Sequence, residues 1–130
     1  MIYVGSAKGT KYGMKEEKLY DHKLGWYILR AKDSTLALNI ARNMRIACQN
    51  PHLWYSQAKR LEINQRGVNA TVKTAGDCSS TVRACIQASG YNVPNFTTAT
   101  EVNTLVGTGL FEKLEYNKNN LRNGDILVTK

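Results

Sequence analysis

The stretch TAGDCSSTVRACIQASGY, residues 74–91, puts a cysteine directly after Gly76-Asp77 at the head of a helical pattern. Val82, Cys85, Ile86 and Ser89 recur on one side at helical spacing. Gly90 stops the pattern. The spacing predicts a helix over 78–89 with Asp77 as its N-cap. Cys78 and Cys85 then share a face, with Cys85 deeper in the core. A helix N-terminus lowers the pKa of a thiol, and the thiolate is the nucleophilic form. A neighbouring carboxylate acts the other way, so the expected job of Asp77 is capping. Cys78 has two readings, a catalytic nucleophile or a small buried hydrophobe. Its place on the first turn favours the nucleophile.

Outward from this helix, TTATEVNTLVGTG predicts another helix. Thr98 and Glu101 are spaced as a capping box, and Gly107 or Gly109 ends it. LFEKLEY, residues 110–116, alternates apolar and polar as a strand does, and DILVTK opens a further strand. Upstream, NPHLWYSQAKRLEINQRG predicts a helix with Asn50 as N-cap, Pro51 at the first position and Gly67 at the close. Leu53, Trp54, Ala58 and Leu61 would be its apolar stripe. A helix from Ser34 as N-cap carries Leu36, Ile40, Met44 and Ala47, with Cys48 near its end as a core residue. GWYILRAK, residues 25–32, reads as a strand with Trp26, Ile28 and Arg30 on one face. The rest of residues 1–33 reads as loop.

The chain has 130 residues, enough for one domain with one core. Its 42% hydrophobic and 22% charged content is that of an ordinary globular protein. No apolar run approaches the roughly 18 residues of a membrane span. The first residues lack a basic and then apolar leader pattern, so synthesis in a cytoplasm without a signal peptide is expected. The three cysteines, Cys48, Cys78 and Cys85, cannot all pair within one chain. None is spaced with another cysteine, His22 or His52 as zinc ligands are. Reduced thiols and no metal or cofactor are expected. The net charge of +8 implies attraction to anionic polymers: cell wall, nucleic acid or a lipid surface.

Asp77-Cys78-Ser79-Ser80 opening a helix, followed by the strand Gly124-Asp125-Ile126, resembles the NlpC-type cell-wall cysteine peptidases of the papain-like superfamily. The chain is similar above all to the N-terminal catalytic domain of endolysins from bacteriophages of Gram-positive bacteria. That likeness includes Gly5-Ser6-Ala7, Ile28-Leu29-Arg30, the segment TGLFEKL and GDILV. The resemblance implies an α+β, papain-like fold: a helical N-terminal half, with the nucleophile helix packed on an antiparallel sheet begun by the C-terminal strands. It implies a peptidoglycan hydrolase, endopeptidase or amidase, whose partner is the Gram-positive wall and not a membrane or nucleic acid. Such a protein acts on the wall after release from the host cytoplasm, and a separate wall-binding domain commonly accompanies it. The implied site residues are Cys78 as nucleophile, the Ser79 amide beside it for the oxyanion, and Tyr55 shaping the site.

In that family a histidine following Gly-Asp serves as base. This chain has no histidine after His52. The base is therefore expected beyond Lys130, in a domain 1–130 incomplete at its C-terminal end, or else at His22 or His52. An apolar strand at residues 126–128 is expected to be central, which also favours a fragment over an edge strand. Two other classes stand beside the hydrolase. One is a basic binding module, in which Lys8, Lys11, Lys15, Lys18 and Lys23 interleave with Tyr12 and Tyr20 to hold single-stranded nucleic acid or wall polymer. The other is a pseudoenzyme that keeps the fold without cutting.

Overall fold

The computed structural model describes residues 2–7 and 13–130. Among the described residues it is an α+β domain of three small sheets and four α-helices. The strands are β1 (Tyr3–Ala7), β2 (Met14–Lys18), β3 (Trp26–Ala31), β4 (Leu53–Tyr55), β5 (Thr74–Gly76), β6 (Phe111–Glu115) and β7 (Ile126–Thr129). The helices are α1 (Ser34–Gln49), α2 (Glu62–Arg66), α3 (Cys78–Ala88) and α4 (Glu101–Gly107).

The main sheet is antiparallel, in the order β6-β3-β7. Its centre comes from the N-terminal half, and the two C-terminal strands flank it without pairing with each other. The register sets Leu29 against Lys113 on one side and Ile126 on the other. Ile28 and Leu29 face opposite ways and are both buried, so β3 is covered on both faces. Each such fully buried side chain contributes about 1.5–3 kcal/mol. Arg30 lies on the Ile28 side but is no core residue. Its guanidinium grips both carboxylate oxygens of Asp125 at 2.9 Å. That fork ties the turn before β7 to β3. Gly124 must be glycine: it has φ 89°, and a Cβ there would run into the Ala37 carbonyl of α1.

Helix α1 is capped by Asp33 rather than Ser34, its side chain accepting from the Thr35 and Leu36 amides. Leu36, Ile40 and Ala47 enter the core as the period requires, while Met44 and Cys48 are half-buried against it. Asn43 is also buried there and donates to the Cys85 carbonyl and Ser89 Oγ, locking α1 to α3. The closest-packed helical neighbours of α3 are thus α1 and α2. α1 and α4 make the close helical approaches to β3.

Other expectations also fail. The expected helix over 51–66 exists only as α2. Leu53–Tyr55 instead forms β4, parallel to β5 with Trp54 opposite Ala75. Asn50, expected as an N-cap, accepts from the His52 amide in a turn and donates to the Val68 and Ala70 carbonyls. An Asn-Pro pair opens turns as readily as helices, and parallel pairing with a distant segment then overrides the helical period. Ala58 and Leu61 are exposed as a result. A further correction is the N-terminal segment, read as loop, which pairs as the antiparallel hairpin β1-β2. Its Lys-Glu-Glu-Lys strand shows no apolar alternation to betray it. Thr98 is not an N-cap either. α4 starts three residues later, after Thr100, with no side-chain cap bond. Among the described residues β7 pairs on one side only, with β3.

Candidate active site

Asp77 holds the N-terminus of α3 in a full capping box. Its carboxylate accepts from the Ser80 amide at 2.9 Å, and Ser80 Oγ accepts from the Asp77 amide at 2.8 Å. The Thr81 amide bonds the Asp77 carbonyl. The amides of Cys78 and Ser79 donate to no described group. They are free donors of the first turn.

A cationic clamp fixes this corner from outside the helix. Arg60 Nε donates to Asp77 Oδ2 at 2.8 Å, and Nη2 donates to Ser79 Oγ at 2.9 Å and to the Phe96 carbonyl at 2.7 Å. Nη1 reaches Asn95 Oδ1 at 3.0 Å. Burial by itself would raise the Asp77 carboxyl. The Ser80 amide and the Arg60 guanidinium outweigh that and hold it below the ordinary carboxylate range. Its negative charge is therefore neutralised by Arg60. The Ser79 hydroxyl is buried in the same clamp and also bonds Asp77, which leaves only its amide for a substrate.

Cys78 is exposed, Cys48 half-buried and Cys85 fully buried. Burial pushes the Cys48 thiol up to about 11 and the Cys85 thiol further still. The Cys78 sulfur sits 3.3 Å from Thr98 Oγ1. It lies on the wall of a cleft of about 930 Å³ that runs past β7, α1 and β1. Tyr55 lines the same cleft. The β4–β5 register puts Tyr55 beside Gly76, two residues before Cys78. Gly76 is packed so closely that a Cβ would meet Ile63 and Thr81 at 2.9 and 3.0 Å.

The two histidines part company. His22 lines the cleft, its ring 5.1 Å from that of Trp26 and its Nδ1 accepting from the Leu24 amide. His52 is exposed in the turn before β4 and is not on the cleft wall. Of the basic stripe, Lys15, Lys18 and Lys23 are exposed, but Glu16 and Glu17 share β2 with the first two. Lys8, Lys11 and Tyr12 lie outside the described residues.

Three residues enter the site unforeseen by the sequence reading. Arg60 looked like one more charge on an expected helix. Thr98 and Glu101 looked like a capping pair. Glu101 is buried to 4% exposure on the cleft wall, a burial that a helix-start glutamate does not signal. Burial, with the nearby Asp77 charge, pushes its carboxyl up to about 8. Among the described residues no group of three His, Cys, Asp or Glu side chains could hold a metal ion. No described helix is long and apolar enough to cross a membrane.

A family model described as Endolysin-like domain matches residues 3–130. No curated protein and no solved structure matches the chain.

Proposed function

The chain belongs to the endolysin-like domain family, a family indicating a role in cell-wall lysis, and from that premise we propose that it is a cysteine-dependent peptidoglycan hydrolase on an NlpC-type, papain-like scaffold. The observation that carries this reading is the position of Cys78. It is the exposed thiol of the three, at a capped helix N-terminus, on a large cleft, beside two unengaged amides.

The chemistry follows the Cys–base scheme. The Cys78 sulfur bonds the scissile carbonyl carbon while its proton passes to the base. The Cys78 and Ser79 amides receive the oxyanion. The C–N bond breaks, and the amine leaves with the proton from the base. Water then attacks the thioester, the C–S bond breaks, and the acid departs as the thiol is restored. Tyr55 shapes the wall of the cleft on the β4 side. Thr98 orients the sulfur. A histidine is the base that the family resemblance implies. His22 is the cleft histidine of the described chain, and a further strand paired on the free edge of β7 is the other source. The resemblance favours the strand. The +8 charge draws the domain to the anionic Gram-positive wall, in company with a wall-binding domain.

One observation favours a second reading, a wall-binding domain that does not cut alone. The hydrogen-bond partner of the Cys78 sulfur is a threonine, not a base. Gram-positive walls incubated with the chain and with its Cys78→Ala variant decide between the two. Fragments released by the chain alone, identified by mass spectrometry, establish the hydrolase and name the bond. Wall binding by both proteins without release overturns a self-sufficient enzyme.

A further inference from the structure

Glu101 is an acidic side chain withdrawn into the cleft wall. It is 4% exposed, it lines the same wall as Cys78 and Thr98, and no described residue gives it a hydrogen bond or an ion pair. Its carboxylate oxygens are not sealed from the cleft, yet withdrawal this far from water disfavours the charged form. The guanidinium that could relieve it, Arg60, is fully occupied by Asp77, Ser79, Asn95 and the Phe96 carbonyl. Asp77, the charged group that acts on Glu101, is of like sign. Helix α4 has only seven residues and offers no compensating site of its own.

The complement of such a group is a cation delivered by the ligand. Wall peptides are built on a diamino acid, whose second amine is free wherever no cross-link is made. Resting on the wall-hydrolase reading, we propose that Glu101 is a specificity-determining residue that binds a free ammonium group of the wall peptide while Cys78 attacks a neighbouring amide. The ammonium donates to the Glu101 carboxylate in a water-poor setting, where a charge-assisted bond is strong. In its absence burial keeps the carboxyl protonated, about 8 against an ordinary carboxylate. The site then carries no unpaired buried anion. An ammonium entering the cleft displaces that proton and makes the ion pair. A peptide whose amine is acetylated or cross-linked cannot.

The test is calorimetric titration at pH 7 of soluble peptidoglycan fragments into the Cys78→Ala chain, so that nothing is cleaved. The same fragments are titrated after acetylation of their amines. The expected result is binding of the free-amine fragments about tenfold tighter or more than of the acetylated ones. Glu101→Gln, in the same background, is expected to bind both forms with the weaker affinity. Equal binding of the two forms by the Glu101 chain overturns the amine role and leaves the wall-substrate reading intact. No binding of either form overturns both. The comparison of the two ligands on the Glu101 chain is decisive even if the glutamine variant folds poorly.

Discussion

The Arg60 guanidinium lies 2.8 Å from the Asp77 carboxylate, and through this pair a short segment ahead of α2 governs the first turn of α3. Both side chains are largely buried, with 16% and 10% of their side-chain surface exposed. The pair fixes the residues on either side of Cys78 without touching its sulfur. It also neutralises the carboxylate charge that the sequence places next to Cys78.

Arg60→Ala leaves the Asp77 charge, the Ser79 hydroxyl and the Phe96 carbonyl without their common partner. Removing one member of a buried pair is expected to cost roughly 3 kcal/mol. Urea unfolding of the variant should show the midpoint lowered with an unchanged slope. Arg60→Lys should recover only part, because an ammonium cannot supply the four-way fork. An unchanged midpoint for Arg60→Ala would refute the clamp.

The Asp77 carboxyl is held below its ordinary value in the folded chain. Its stabilisation is therefore present above about pH 4, the unfolded carboxylate value, and lost as the pH falls toward the depressed folded value. Thermal unfolding from pH 6 to pH 2.5 should show this acid loss. Asp77→Asn, less stable at pH 6, should show a shallower decline.

Glu101 has the opposite sign. Its folded value is raised to about 8, so its unfolded form loses its proton long before the folded one does. The stability it permits is full below the unfolded value near 4.5 and is lost as the pH rises through about 8. Glu101→Gln keeps the shape and removes the titration. It should be more stable than the parent at pH 8 by roughly 4 kcal/mol, and close to it at pH 4.5. Differential scanning calorimetry at the two pH values measures the difference. Equal melting temperatures at pH 8 would count against a buried, protonated carboxyl.

Iodoacetamide at pH 8 should modify Cys78 in the folded chain and spare Cys48 and Cys85, whose burial both blocks access and pushes their thiols up. Peptide mapping by mass spectrometry gives the order. Alkylation of Cys85 before Cys78 would contradict the packing of α3 on α1.

Asp125→Ala removes both bonds to Arg30 and frees the turn before β7. Hydrogen exchange should rise first at the amides of β7 and of the β3 residues it pairs, while α3 stays protected. Uniform loss of protection would mean that the ion pair supports the whole fold rather than this edge.

The capped start of α3, the amphipathic run of α1 and the alternation of β6 were legible because each is a local pattern. A cap needs only its own first turn, and a period needs only its own neighbours. Asp77, Cys78 and Gly90 therefore announced their places directly. β4 and the clamp were not legible. Leu53–Tyr55 is a strand because Thr74–Gly76 lies alongside it, and no local rule in NPHLWY encodes a partner some twenty residues away. The same holds for Arg60, which means nothing until α3 and the loop at Asn95-Phe96 close around it. Glu101 shows the limit most clearly. At helix-start spacing it reads as a cap, and only the packing of α4 against the cleft wall takes its carboxyl out of water and gives it a chemistry. The sequence by itself determined the helix that Cys78 opens, the run of α1 and the alternation of β6. Tertiary structure alone decided which charges were paired and which carboxyl was drawn out of water, because desolvation and ion pairing depend on distances between segments that the chain brings together only on folding.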